Sequence, residues 1–303
     1  MITDDHILVE QATYRPSVPH RSRSNRTLRR FLRRLPSTLA IAVLVVIVCY
    51  PIAWMLMSSL KSQAEFFSEP AWALPKSLHF ENYVEALTRG NVAVNYRNSI
   101  LATLPSLFFM LIFGLAAAYA LEVLVWKGRH GVLLIFLAGI MVPGQMILAP
   151  LFMAYFRLGL TNSLWPLIIT YTVDGLPLTI FLMAAYFRAI PRQIFEAATL
   201  DGCGMLRAFF VIGIPMMKNA IVTLALVEFL SVWNDLLVAL TFSTSSDLAT
   251  VQVGLLNFTD QFGSTDYGPL FAAISINIIA MLIIYVFLNK KIISGLASGS
   301  LKG

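Results

Sequence analysis

Glu196-Ala197-Ala198-Thr199-Leu200-Asp201-Gly202-Cys203-Gly204-Met205-Leu206-Arg207-Ala208-Phe209-Phe210-Val211-Ile212-Gly213-Ile214-Pro215 is a polar-marked insert between two apolar runs of membrane length. Pro191, just ahead of it, suits the first turn of a helix, where its missing N–H would be unpaired anyway. The spacing predicts a short amphipathic helix over Arg192–Leu200, with Ile194, Phe195, Ala198 and Leu200 as its apolar surface. Arg192 and Glu196 stand i,i+4 and are expected to pair. Asp201-Gly202 ends the helix, since Gly202 is free to adopt a positive φ. A second short helix, Met205 to Ile212, is expected to lead through Pro215 into the next apolar run.

Outward from this insert the chain is mostly apolar: 58% of its 303 residues are hydrophobic and 13% charged. A bilayer core of about 30 Å needs roughly 20 apolar residues per helix. Runs 39–60, 98–121, 131–156, 164–187, 216–242 and 268–288 meet that length. The expected fold is therefore an all-α integral membrane protein of six transmembrane helices, with no room for a separate soluble domain. Its parts are a basic tail over 1–37, a six-helix domain over 38–290 containing the 188–215 loop, and a C-terminal tail over 291–303. The first 37 residues hold eight Arg but no apolar core of a signal peptide, so the first span is expected to be retained. Cys49 and Cys203 are too few and too far apart for a disulfide framework or a metal site.

Charge sets the expected orientation. With six spans both termini share a side, and that side carries 17 Lys and Arg against five on the other. The positive-inside rule then places both termini in the cytoplasm. The same asymmetry explains the net charge of +6, so no nucleic-acid partner is implied. Arg21, Arg23, Arg26, Arg29, Arg30, Arg33 and Arg34 crowd next to the membrane, where each basic residue attracts anionic lipid by about 1 kcal/mol. The tail reads as topogenic.

Other expectations concern the spans. Pro51 is expected to kink the first. In the following loop, Phe80, Tyr83, Val84 and Leu87 have helical spacing and suggest one apolar face. Gly114 and Ala118 form a small-xxx-small pair that lets helices approach closely. Pro143 and Pro150 in the third span, and Asp174-Gly175-Leu176-Pro177 in the fourth, predict two broken spans. Irregular backbone at that depth is stable only against protein or a water-filled cavity, which points to a translocation path.

Ionisable residues inside spans mark cavities or paired sites. Asp174 lies mid-way along the fourth span, and Glu228 along the fifth, with Asn234 and Asp235 farther on and Asn277 in the sixth. With Tyr171 and Trp233 they offer hydroxyl-recognising groups and aromatic faces suited to sugar rings. Glu228 and Asp235 are seven residues apart, two helical turns, and are expected to share a face. Asn277 reads as an interhelical hydrogen-bonding group.

The insert resembles the EAA loop of ABC importer permeases. Glu196, Ala197, Ala198, Gly202, Ile212 and Pro215 sit at the family's offsets, and Ile214 replaces the usual Leu. Ser59-Leu60-Lys61, Phe80-Glu81-Asn82-Tyr83, Asn98-Ser99, Ala117-Ala118-Tyr119-Ala120 and Trp233-Asn234-Asp235 look like landmarks of the maltose-type carbohydrate permeases, as does the ending Gly295–Gly303. Glu122 departs from the pattern, in which many relatives carry a basic residue. The resemblance implies a type I importer fold in which Glu196, Ala197, Ala198, Asp201 and Gly202 form the coupling site for a cytoplasmic ATPase. It also implies a second homologous permease, an ATPase dimer, an extracytoplasmic solute-binding protein and a sugar. The C-terminal tail would reach the ATPase dimer. Tyr171, Asp174, Glu228, Trp233 and Asn234 would line the path.

The chain has no G-x-x-x-x-G-K-[ST] loop, so ATP and Mg²⁺ are expected on the partner and no cofactor on this subunit. It also lacks H-E-x-x-H and any cysteine–histidine cluster, which leaves no catalytic residue to assign. A glycerol-phosphate-type permease is the alternative within this class, but the spans offer only Lys218 to a phosphate. A proton-coupled secondary transporter using Asp174 or Glu228 would be expected to show an inverted repeat, and none is visible. A non-transporting scaffold would need neither buried acids nor broken spans.

Overall fold

The computed structural model describes residues 23–259 and 264–300, with side chains over 36–88, 90–259 and 264–286. The basic tail before Arg23 and the ending over 301–303 lie outside the described residues, and the side chains of 287–300 are likewise undescribed. The role read into Gly295–Gly303 therefore has no structural counterpart here.

Residues 1–53 and 54–303 form separate units. The first is represented by helix α1 (Arg23–Ser58), which contains Pro36 and Pro51 and extends into the second at its C-terminal end. The second then holds α2 (Gln63–Ser68), α3 (Glu81–Arg89), α4 (Val92–Glu122), α5 (Arg129–Ile140), α6 (Leu148–Arg157) and α7 (Trp165–Arg188). It continues with α8 (Arg192–Leu200), α9 (Met205–Ala208), α10 (Ile214–Met216), α11 (Lys218–Trp233), α12 (Leu237–Phe242), α13 (Val251–Gly254) and α14 (Tyr267–Ser300). Among the described residues the one β element is an isolated bridge between Thr259 and Thr265.

Four of these helices are long and apolar enough to cross a membrane: α1 over Pro36–Ser58, α4, α7, and α14 over Tyr267–Val286. Two more segments reach that length only as bent pairs. Arg129–Ile140 meets Gly144–Arg157 at 84°, and Met205–Met216 meets α11 at 75°. The spans thus number four, or six if each bent pair counts as one.

Three expectations are corrected. The fourth span is not broken: α7 runs without interruption through Asp174–Pro177. Pro177 removes one backbone donor, yet its ring packs on α5, 3.2 Å from where a Cβ on Gly139 would stand. The fifth span is not one helix over 216–242, because α11 stops at Trp233 and α12 begins at Leu237. Asn234 folds its side-chain amide back onto the Leu230 carbonyl (2.8 Å), and the Asp235 carboxylate accepts from the backbone of Val238 (2.9 Å) and Ala239 (3.3 Å), opening the next helix. The helix expected from Met205 to Ile212 is α-helical only to Ala208. A π-helical stretch, Phe209–Gly213, follows before Pro215, whose missing N–H cannot complete an α ladder.

Packing is tightest between α4 and α7. The Ser106 hydroxyl donates to the Ala102 carbonyl (2.7 Å), with the Ile168 carbonyl at 3.3 Å, while Thr172 donates to Ile168 (2.7 Å). One turn on, Met110 fills the space above Gly175. Beyond it Gly114 meets Thr179 so closely that a Cβ on Gly114 would stand 2.2 Å from Thr179 Cγ2. The small residue at 114 therefore sets the helix separation, as its spacing with Ala118 suggested.

The end of the unit that carries α3 is knitted by side-chain amides. Asn82 donates to the carbonyls of Ser59 (2.9 Å) and Lys61 (2.9 Å), and Tyr83 and Ser59 share a hydroxyl hydrogen bond of 2.8 Å. Asn98 donates to the carbonyls of Asp247 (2.7 Å) and Ala249 (3.0 Å), and the Val251 N–H donates to Ser99 (2.9 Å). Ser62 and Glu65 form a capping box on α2, and the Ser62 N–H holds the Glu65 carboxyl below its ordinary range. The apolar face read on α3 looks outward, as a surface- or partner-facing piece would, with Tyr83 turned partly inward. Phe80, Val84 and Leu87 are exposed, and Asn82 and Ala86 point inward, because the polar clamp at Asn82 fixes the helix rotation.

Gly114→Ala is expected to lower stability by about 1–3 kcal/mol through overpacking against Thr179, with Thr179→Ala in the same chain restoring most of the loss. Thermal unfolding of the detergent-solubilised protein measures both.

Candidate coupling and translocation sites

The 188–215 loop is built on one buried aromatic cluster. Phe195 of α8 sits among Leu115, Ala118, Tyr119, Met183, Phe187 and Phe209. Tyr119 of α4 is its centre, with ring centroids 5.6 Å from Phe187, 5.8 Å from Phe195 and 5.2 Å from Phe209. The Tyr119 hydroxyl also donates to the Met205 carbonyl at 3.3 Å. The C-terminus of α8 closes as a Schellman motif: the Cys203 N–H donates to Ala198 (2.8 Å), and that of Gly202, at φ +77°, to Thr199 (3.0 Å).

With Phe195 inward, Glu196, Ala197, Asp201 and Gly202 are exposed and Ala198 is half-buried. Two details of the amphipathic reading are corrected. Leu200 is 89% exposed, because five helical steps rotate it about 140° away from Phe195. No ion pair joins Arg192 to Glu196 among the described residues. A solvated i,i+4 pair contributes only about 0.3–0.5 kcal/mol, too little to hold two mobile side chains together.

The ion pair that does form is Glu122 with Arg188. Glu122 ends α4 and is 7% exposed. Both of its carboxylate oxygens face the Arg188 guanidinium, with Nη2 on Oε1 and Nε 3.4 Å from Oε2. Arg129 caps the same helix end from the other side, donating to the carbonyls of Leu124 (3.0 Å) and Glu122 (3.4 Å). Glu122, Arg188, Arg192, Phe195, Glu196 and Cys203 line a cleft of about 430 Å³ beneath α8.

The second group of residues lies farther along α7 and α11. Glu228 is buried, with Oε2 3.3 Å from where a Cβ on Gly175 would stand, and Oε1 has no hydrogen-bond partner among the described residues. Asp174 is exposed and lies against the α5–α6 elbow, its Oδ1 2.9 Å from a Cβ built on Gly144. The structure thus brings Asp174 and Glu228 to either side of Gly175. Tyr171 and Trp233 are buried, and their polar ends are engaged within the chain. The Tyr171 hydroxyl donates to Asp235 (3.1 Å), and Trp233 Nε1 donates to Asn277 (3.0 Å), the interhelical bond read for Asn277. Asn234 is exposed, with Gln252 Nε2 3.4 Å from its Oδ1. Glu228 and Asp235 do not share a helix face, since α11 ends between them. Asp174, Glu228 and Asp235 have no ion-pair partner among the described residues.

Residues 98–294 match the model of a family described as the binding-protein-dependent transport system inner membrane component. The chain belongs to that family. It is 34% identical to a diacetylchitobiose uptake system permease of Streptomyces coelicolor, covering 85% of this chain and 85% of that one. It is 35% identical to a probable ABC transporter permease of Bacillus subtilis, over 86% of this chain and 85% of the relative. A bacterial transporter that imports the acidic polysaccharide alginate contains a chain of the same fold. It superposes with a TM-score of 0.75 at 24% identity, over 90% of this permease and 99% of that chain. This permease is therefore a multi-pass membrane component of a binding-protein-dependent ABC importer.

Sequence reading named the 188–215 loop residues that stand exposed but missed how they are held. Tyr119 stood inside a recognised landmark, without a partner assigned to it. Glu122 and Arg188 lie 66 residues apart, and no periodicity links them. The available signal was a lone acid at the end of an apolar run, which burial obliges to find a cation.

Phe195→Ala is expected to destabilise the seating of α8 by about 3–5 kcal/mol. Limited trypsin digestion of inside-out vesicles checks it, through faster cleavage at Arg192 and Arg207 with the spans intact.

Proposed function

We propose that this permease forms part of the translocation path of an ATP-driven sugar importer and couples to a separate ATPase through α8. The observation that carries the reading is the exposed surface Glu196-Ala197-Ala198 with Asp201-Gly202, held by a Schellman turn on the Tyr119 cluster. Compact Ala197 and Ala198 let a partner approach closely, and Glu196 and Asp201 offer charge-assisted acceptors. ATP and Mg²⁺ would bind the partner, and this chain carries no catalytic residue. A dimer of ATPase subunits, a second homologous permease and an extracytoplasmic solute-binding protein complete the assembly. The charge asymmetry supports cytoplasmic termini and places α8 on the cytoplasmic side. Closure of the ATPase dimer displaces α8, rocks the spans and opens the cavity outward.

The names of the relatives support a carbohydrate cargo. The path residues would be Tyr171, Asp174, Glu228, Trp233 and Asn234. The absence of any cation paired with Asp174, Glu228 or Asp235 among the described residues favours a neutral sugar over a glycerol phosphate. The rings of Tyr171 and Trp233 are buried, Trp233 against Phe229 and Tyr96, so they would back the wall of the path rather than stack on the sugar.

Uptake by the reconstituted complex is the test, with labelled diacetylchitobiose, maltose and glycerol 3-phosphate as probes. Sugar uptake is expected to require ATP and to persist when the proton gradient is collapsed. Glu196→Ala and Gly202→Pro are expected to reduce it about tenfold or more while the protein still inserts. Uptake driven by the proton gradient would instead make this chain a secondary transporter, and preferential uptake of glycerol 3-phosphate would overturn the sugar assignment.

A further inference from the structure

The last turn of α4 grips both ends of the coupling loop. Tyr119 and Glu122 are three residues apart and so share one face of that turn. Tyr119 bonds the Met205 carbonyl, on the return from α8, and Glu122 pairs with Arg188, on the approach to it. Only Ala189-Ile190-Pro191 separates Arg188 from the start of α8. The three-residue linker has its own turn bonds, from the Ala189 N–H to Tyr186 (3.1 Å) and from the Ile190 N–H to Phe187 (3.1 Å). It is short and tied down, so displacement of α8 is passed to Arg188.

The electrostatics of the pair show that its energy depends on position. α4 and α7 both end at this side of the unit, so Glu122 sits at the negative end of a helix dipole, where an acid is disfavoured. It is also buried, which adds a desolvation penalty. Arg129 on the Glu122 and Leu124 carbonyls answers part of the dipole, while the carboxylate itself is paired by the Arg188 guanidinium. Arg188 is in turn favoured at the C-terminus of α7. A movement that separates α4 from α7 at this end would strand a buried carboxylate, so the two helix ends must move together.

We propose that Glu122 and Arg188 are positioning residues for transport, transmitting displacement of α8 to α4 and α7 as one body. This rests on the reading of α8 as the coupling helix. It adds a second grip, within this subunit, to the contact α8 makes with the ATPase.

The experiment uses the complete importer in proteoliposomes, with ATP-Mg and the cognate solute-binding protein as probes. The readout is the fold-stimulation of ATP hydrolysis by the binding protein, alongside the amount of ATPase that co-purifies. Glu122→Gln is expected to reduce stimulation about tenfold, the scale of a typical coupling free energy, with ATPase still bound. The exchange E122R/R188E keeps the ion pair with its members reversed and is expected to recover stimulation to within about threefold of wild type. Should Glu122→Gln fail to insert, Arg188→Gln takes the same measurement, and failure of the exchange to recover stimulation then counts against the pair.

Wild-type stimulation in Glu122→Gln or Arg188→Gln would overturn the proposal. Glu196→Ala separates the two claims. If it abolishes stimulation while Glu122→Gln does not, only the second grip fails. If Glu196→Ala is itself without effect on stimulation or ATPase binding, the coupling reading fails first.

Discussion

The approach of α4 to α7 at Gly114 and Thr179 is the contact on which the rest of the second unit depends. In hydrocarbon, lipid tails are as apolar as Leu, so burying an apolar side chain against another helix gains little. What remains is close packing and hydrogen bonding between backbones that come near enough. The Ser106 hydroxyl on the Ile168 carbonyl (3.3 Å), the Thr172 hydroxyl on the Ser106 carbonyl (3.4 Å), Met110 over Gly175, and Gly114 against Thr179 supply it turn by turn along α4 and α7. The 188–215 loop and the acids of α7 and α11 both take their positions from that pair. Tyr119 and Glu122 continue the α4 side of the same contact, and Asp174 and Arg188 continue the α7 side.

Much of this was legible in the residues. Lengths of apolar runs located the four helices long and apolar enough to cross a membrane, and Pro191, Asp201 and Gly202 placed α8 with the caps it has. The errors share a physical cause. Pro177 was read as a break because a proline removes a donor, yet Gly139 of a neighbouring helix leaves room for its ring and α7 continues. The apolar run 216–242 was read as one helix because hydropathy does not register Asn234 and Asp235 turning their side chains onto the backbone. Leu200 was misplaced for a related reason. Periodicity selects an apolar stripe, while the rotation of a short helix is fixed by one anchor, here Phe195.

The landmarks that make the chain look like a maltose-type permease are largely fastenings. Asn82 ties Ser59 and Lys61, Asn98 and Ser99 tie the segment from Asp247 to Val251, and Trp233 is tied to Asn277. Each satisfies backbone or ring donors and acceptors at a depth or crowding where leaving one unpaired costs about 1–3 kcal/mol. They report a shared scaffold, which is why the family is easily read and the cargo is not. The departure from the pattern is the more particular clue, since Glu122 brings a buried carboxylate that pairs with Arg188.

An unbroken α7 gives the molecule a simple mechanical logic. Arg188, beside the coupling loop, and Asp174, beside the elbow at Gly144, lie on one continuous helix fourteen residues apart, roughly 21 Å at 1.5 Å per residue. A break at Pro177 would absorb displacement between them, and a continuous helix absorbs less. Bending is confined instead to the segments on either side: the 84° elbow after Ile140, the 75° junction before Lys218, and the break between Trp233 and Leu237. Those joints flank the acids, and α4 with α7 forms the stiff part between them. If α8 couples as proposed, movement entering there would reach Asp174 and the Gly144 elbow along α7, and the change of shape would fall on the jointed helices around the acids.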